Sequence, residues 1–278
     1  KILCFMTSRL WPRIEKAHPI ELLQIIHSNP LNTLGSQHDF LAPHGQFYDP
    51  PQDYQQLLNG HLQKHGSLRR SSIAFIPYFN ESDGLNILLV KKASKNKAVS
   101  NDFPHANQFA FPGGMVPKDI DFDSLSDVDQ EGVLLDSVVR ELTEEIGGIV
   151  EDGIFPLYQL PSTQTNTSFV HVHPFVIYLG RTEAKNLFIK DTTELEELHH
   201  VNLHDLTKNF HPSGVVEYAS SSPLYKGPTF HLSSLESPIW GLTARILAYV
   251  LSEIELVLER QEHASHSSPS DYLKSLHQ

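Results

Sequence analysis

Arg140-Glu141-Leu142-Thr143-Glu144-Glu145-Ile146-Gly147 combines helical periodicity with a concentration of acid. At about 100° per residue, Glu141, Glu144 and Glu145 fall within an arc of roughly 100°. Leu135, Val139, Leu142 and Ile146 line a different face that can be buried, which predicts a helix over 133–146. Gly147 and Gly148 supply a C-terminal stop. Each like-charge pair at this spacing costs ~0.2–0.5 kcal/mol in an isolated helix. The helix dipole adds to the cost, because the acids lie near the C-terminal end. A hard divalent cation such as Mg²⁺ removes the penalty, and at such a site it can hold a phosphate and activate water. Arg140 can orient the carboxylates through charge-assisted hydrogen bonds. Alone, a Glu-x-x-Glu-Glu run is ordinarily a solvated helix face.

The stretch Phe111-Pro112-Gly113-Gly114 shifts that balance. Two glycines directly after the strand-like Gln108-Phe109-Ala110-Phe111 allow a tight bend and close approach of backbone to phosphate. Further upstream, 71–79 and 85–90 read as two strands joined by a hairpin turn at 80–84. Downstream, 169–179 reads as a strand that Pro174 marks as an edge or a bulge. A strand or helix entry follows at 195–206, and Ile246, Val250, Ile254 and Leu258 place a long amphipathic helix over 239–258. Strands around one strong central helix define an α+β class with a mixed sheet flanked by helices. Residues 1–67 form an N-terminal extension with helices expected at 19–26 and 53–64 and a connector over 30–51; 68–262 form the main domain, and the Ser- and His-rich 263–278 a flexible tail.

Two glycines, a linker and Arg-Glu-Leu-x-Glu-Glu-x-Gly resemble the signature box of the Nudix hydrolases. Several stretches are similar to its coenzyme A diphosphatase branch: His105-Ala106-Asn107-Gln108-Phe109-Ala110-Phe111-Pro112-Gly113-Gly114, Leu88-Leu89-Val90 with Ser94, Glu194-Leu195-Glu196-Glu197-Leu198 with Leu203 and Leu206, and Ile239-Trp240-Gly241-Leu242-Thr243-Ala244. The resemblance spans roughly 70–260, in order, and leaves 1–67 outside. It implies a Nudix α/β/α sandwich with an N-terminal helical extension. It also implies a metal-dependent hydrolase that cuts the pyrophosphate of coenzyme A or acyl-CoA into 3′,5′-ADP and (acyl-)4′-phosphopantetheine. On the same basis Glu141, Glu144 and Glu145 take Mg²⁺ or Mn²⁺, Arg140 joins them as a catalytic residue, and Gly113, Gly114, Phe111, His105 and Lys92 contact the substrate. The attacking water's base is Glu144 or a later acid, Glu194 or Glu197.

Three departures stand out. Gly114 and Arg140 are 26 positions apart, about a dozen more than the family's spacing. The surplus, 122–132, is expected to bulge as a loop before the helix. Asp119, Asp121 and Asp123 alternate as in a calcium loop, but Ser124 stands where glycine is needed and Gln130 where the twelfth-position Glu belongs. Asn107 replaces a glycine of the branch, and Asn is well suited to a left-handed conformation there. The branch's Leu-Arg pair is missing, and Lys92, Lys95 or Lys97 would have to serve within what reads as a solvated loop.

Composition bounds the remaining functions. Hydrophobic residues are 40% of the chain, enough for a sizeable core, and the net charge of −12 argues against duplex nucleic-acid binding. No uncharged apolar run is long enough to span a bilayer. Cys4 is the single cysteine, which excludes an intramolecular disulfide and a Cys-based zinc site and suits a reducing compartment. Lys1, Arg9, Arg13 and Lys16 against Glu15 faintly resemble an organelle transit segment, while the ending Ser-Leu-His-Gln is not a Ser-Lys-Leu signal. An intracellular location is expected, mitochondrial or peroxisomal, with the cytoplasm as alternative. The expected partner is a small nucleotide substrate; a homodimer is left open. The competing functions are a Nudix hydrolase of NADH, ADP-ribose or a dinucleoside polyphosphate, and a binding module that has lost catalysis.

Overall fold

The computed structural model describes residues 54–80, 84–94, 106–150, 153–165, 168–180, 182, 184–217 and 224–266. The helix expected at 19–26, the connector at 30–51, most of the hairpin turn and the end of the tail lie outside them. Helix α1 (Tyr54–His65) precedes strands β1 (Arg69–Phe75), β2 (Pro77–Asn80), β3 (Gly84–Lys92), β4 (Phe109–Ala110) and β5 (Gly113–Met115). A 3₁₀ turn, Phe122–Ser124, leads into helix α2 (Asp127–Glu145). Then follow β6 (Ile146–Gly147), β7 (Ile154–Gln159), β8 (Thr163–Gln164), β9 (Val170–Leu179), β10 (Phe188–Ile189) and β11 (Leu195–Asn202). Helix α3 (Leu203–Lys208), the ribbon β12 (Phe210–Val216) and β13 (Tyr225–Phe230), and helix α4 (Gly241–His266) complete the described elements.

One sheet has the order β5-β1-β9-β7 with β8 also on β9, and a second has β11-β3-β2 with β4 on β3. β1 and β9 run parallel and the other pairs antiparallel. Strand alternation divides the interior into two apolar layers. Ala74, Ile76, Leu88, Val90, Phe175 and Ile177 face Leu134, Val138 and Leu142 of α2. Phe75, Leu85, Ile87, Leu89 and Val176 face Ala244, Leu247, Val250 and Leu251 of α4. The result is the expected α/β/α sandwich.

Some elements depart from the sequence reading. The run 71–79 is two strands rather than one, because Pro77 lacks the N–H that would continue β1 and opens β2 in the other sheet. Pro174 sits in an interior strand, with β1 on one side and β7 and β8 on the other. Its carbonyl accepts from Leu160 N at 2.8 Å, so its nitrogen faces the same gap, where pairing passes from Gln159 of β7 to Thr163 of β8. No ladder bond is needed at that point. The surplus residues are not a free loop: most of them extend α2 toward its N-terminus. Ser126 caps that helix by accepting from Asp129 N at 3.3 Å, and Asp127 and Asp129 occupy the favourable end of its dipole. The preceding turn is pinned to the sheet, with Asp123 2.8 Å from Arg70 and the Phe122 ring beneath the guanidinium. This pairing also occupies one of the alternating aspartates of the calcium-loop reading.

Candidate active site

The site is built where the chain changes sheets. Asn107 adopts φ 61°, the left-handed turn expected of it. Asn107 N donates to Lys92 O and Lys92 N to Gln108 O, which folds the segment back along the end of β3. After Phe109 and Ala110 pair with β3, Pro112 crosses over, and Gly113-Gly114-Met115 pair with Ile73-Ser72-Ser71 of β1. Gly113 has φ 137°, and a side chain there would collide with the Ser72 carbonyl oxygen and Ile73 Cα. A Cβ on Gly114 would overlap the Glu141 carboxyl group. Gly113 is therefore required for this corner to pair with β1, and Gly114 leaves the room that the Glu141 carboxyl group of α2 occupies.

Glu145 is 3% exposed, yet both of its oxygens are engaged. Oε2 accepts from Gly113 N at 3.0 Å, and Oε1 from Lys92 Nζ at 3.1 Å. Glu141, one turn earlier, accepts from Arg140 Nη2 at 2.7 Å. The other arm of Arg140 donates to the exposed Glu144 at 2.9 Å, and the guanidinium also reaches Met115 O at 3.4 Å. Glu141 and Glu145 thus meet the glycine corner, whereas Glu144 is tied to Glu141 through Arg140. Burial raises the Glu141 pKa against the pull of Arg140, with the charges of Glu144 and Glu194 adding to the rise. Burial likewise raises that of Glu145 against Lys92 and the Gly113 N–H, with Glu141 adding to it. The local cations therefore leave the pair under-compensated. Among the described residues no group of three His, Cys, Asp or Glu side chains is already gathered as a metal cluster. The donor chemistry nevertheless fits a hard divalent ion: two inward carboxylates, oxygen donors only, and negative charge in excess.

The end of α2 is held by a loop far along the sequence. Lys190 N donates to Glu145 O at 2.9 Å, and Lys190 Nζ to Thr143 O at 2.6 Å, satisfying terminal carbonyls. Lys190 escaped the sequence reading because no local pattern links it to the helix. Four residues on, Glu194 is exposed, its carbonyl accepts from Ala93 N, and its charge is felt at Glu141. Glu197 is engaged elsewhere, with Lys91 at 3.5 Å and His199 at 3.0 Å. Phe111 is 3% exposed and packs on Phe75, so its side chain belongs to the core and offers no surface to a substrate. His105 lies outside the described residues.

The NUDIX domain model matches residues 68–219, more than half of the chain, and the chain belongs to this family. Nudix hydrolases are generally pyrophosphohydrolases of nucleoside diphosphate derivatives and use divalent ions such as Mg²⁺ or Mn²⁺; the fold is consistent with that chemistry. Among solved structures the chain is similar to an Ap4A hydrolase of C. elegans, at 14% identity and TM-score 0.34 over 51% of this chain and 85% of that one. It is also similar to the MutT protein of Methanosarcina mazei Go1, at 23% identity and TM-score 0.34 over 51% and 81%. A MutT/nudix family protein of Enterococcus faecalis matches at 16% identity and TM-score 0.37 over 90% and 80%. These likenesses are too remote to carry a substrate. No curated protein matches the chain. Among the described residues no helix is long and apolar enough to cross a membrane.

Proposed function

We propose that the chain hydrolyses the pyrophosphate of coenzyme A or an acyl-CoA to 3′,5′-ADP and (acyl-)4′-phosphopantetheine. One observation supports this reading above others: separated stretches that resemble the coenzyme A branch meet around the glycine corner. Thr243, in the stretch that opens α4, donates to the Phe109 carbonyl at 3.0 Å, two residues before Phe111-Pro112-Gly113-Gly114. Glu194, which opens another of those stretches, accepts from Ala93 N at the end of β3, and its charge is felt at Glu141.

In this reading Glu141 and Glu145 hold Mg²⁺ or Mn²⁺, with Glu144 contributing from the solvent side. When bound, the ion supplies charge neutralisation at the pyrophosphate and eases ionisation of water. The Gly113 N–H fixes Glu145, and Arg140 fixes Glu141 and braces it against the β5 backbone. Glu194 is the acid free to take the proton of the attacking water, since Arg140 holds Glu144 and Lys91 and His199 hold Glu197. As the water oxygen bonds to phosphorus, the bridging oxygen leaves with the departing phosphate.

The deciding experiment follows products from coenzyme A, acyl-CoA, ADP-ribose, NADH and diadenosine polyphosphates in Mg²⁺ and in Mn²⁺. Release of 3′,5′-ADP with kcat/KM at least about tenfold above the other substrates is expected. Preference for another nucleotide would discard the coenzyme A assignment, and tight binding without products would make the chain a binding module. Glu145→Gln should lower turnover by about 10²-fold or more while the fold persists. An unchanged rate in Mg²⁺ would discard the site.

A further inference from the structure

Lys91 and Lys92 end β3, and strand alternation sends them to opposite faces. Leu85, Ile87 and Leu89 face α4, and Lys91 continues that series toward Glu236, Glu197 and Glu196. Leu88 and Val90 face α2, and Lys92 continues that series to Glu145. The Lys92 side chain is 15% exposed, and its ammonium contacts an almost fully buried carboxylate. Because Gly113 N already engages Oε2, a divalent ion that uses Glu145 must contend with the ammonium at Oε1. A single and a double positive charge cannot share one buried carboxylate cheaply at about 4 Å, even with the effective screening found inside proteins.

We propose that Lys92 is a resident counter-cation of Glu145, that a divalent ion displaces it, and that the freed ammonium then binds the substrate's pyrophosphate. The proposal rests on Glu145 being a metal ligand. It gives one side chain two tasks. Before loading, Lys92 keeps a buried carboxylate paired, since an unpaired charge there would destabilise the fold. After loading, its four-carbon stem lets the ammonium swing within the same pocket toward the incoming phosphates, as a point charge that needs no fixed fork geometry. Asp191, in the loop that closes the end of α2, is a further acid whose carboxylate feels the Lys92 charge.

A merely structural ion pair and a displaceable counter-cation predict opposite signs. Mn²⁺ binding to the substrate-free protein is read by electron paramagnetic resonance at pH 8 for wild type, Lys92→Met, Lys92→Arg and Glu145→Gln, alongside KM for whichever nucleotide the product assay selects. Lys92→Met should bind Mn²⁺ about tenfold more tightly, because its competitor is gone, yet show a KM about tenfold higher. Lys92→Arg keeps the charge and should hold both quantities within about threefold of wild type. Equal or weaker Mn²⁺ binding in Lys92→Met, with Glu145→Gln losing Mn²⁺, overturns the proposal and leaves the site standing. Tighter binding with an unchanged KM overturns the phosphate role. Unchanged Mn²⁺ binding in Glu145→Gln removes the site reading, and the proposal with it.

Discussion

Gly113 and Gly114 are adjacent, yet they are glycine for different reasons, and the difference can be measured. At Gly114 the obstacle to a methyl group is the far end of the Glu141 side chain, which can turn aside. Gly114→Ala should therefore fold but displace a carboxylate, lowering kcat/KM by about 10²-fold with a small change in melting temperature. At Gly113 the obstacle is the β1 backbone and φ is positive, so Gly113→Ala should destabilise the fold itself, by more than about 1 kcal/mol in urea unfolding. The same corner sets an acid limb for activity. The Glu141 and Glu145 pKa values both lie above the usual 4.5, and both groups must be ionised to hold a cation. The limb in log(kcat/KM) should consequently lie above pH 4.5 at low Mg²⁺ and move down as Mg²⁺ rises, because the ion favours the ionised form. A limb that ignores Mg²⁺ concentration would count against these two ligands.

At the scale of elements, α2 absorbs the long spacer through its own N-terminal signals. Gly132 lies inside the added part, where a Cβ would meet nothing within 4 Å. Gly132→Ala should raise stability by about 0.5–1 kcal/mol in urea titrations and leave turnover unchanged. A loss of stability would mean that this stretch is not helical in solution. The helix face carrying Glu141 and Glu145, the β2–β3 hairpin and the left-handed Asn107 were legible because each is set by neighbours within a few residues. The capped extension was also in the sequence, as Ser126 followed by Asp127 and Asp129, but the family spacing favoured a loop. Pro174 and Pro77 misled for a different reason. A proline's effect depends on which side of the strand has a partner, and that is decided by chain arriving from elsewhere. Lys91 and Lys92 follow the last apolar residue of the 85–90 run and so read as loop, although charged residues continue a strand where acids wait on both faces. The helix end held by Lys190 and the nearby Glu194 could not be placed, since both depend on a loop some fifty residues beyond α2.

At the scale of the whole molecule, acid stability should depend on a cluster remote in sequence from the carboxylates. Arg70 can only donate, so its 2.7 Å contact makes His171 Nδ1 an acceptor and leaves Nε2–H for Ser162 Oγ at 2.8 Å. His173 stacks beside His171, its Nδ1 lies 3.3 Å from Gln159 Nε2, and its own Nε2 is buried without a hydrogen-bond partner among the described residues. Burial first, then the positive charges around them, pushes His171 down to about 4 and His173 to about 3. Below pH 6.5 the unfolded chain takes up protons that the folded chain refuses, so stability falls with the pH. For His173, which is 7% exposed, the shift corresponds to a loss of about 2 kcal/mol between pH 7 and pH 5. The affected contacts join β1 and β9 to the turn before α2 through Arg70 and Asp123, so the loss is carried by the sheet and the helix entry together. His173→Gln removes the titration while keeping a polar group of similar size. Urea unfolding at pH 7, 6 and 5 should give a visibly flatter dependence for this variant than for wild type, whatever its stability at pH 7. Parallel slopes would mean that His173 takes up its proton in the folded chain as readily as in the unfolded one, against the shift that burial gives it.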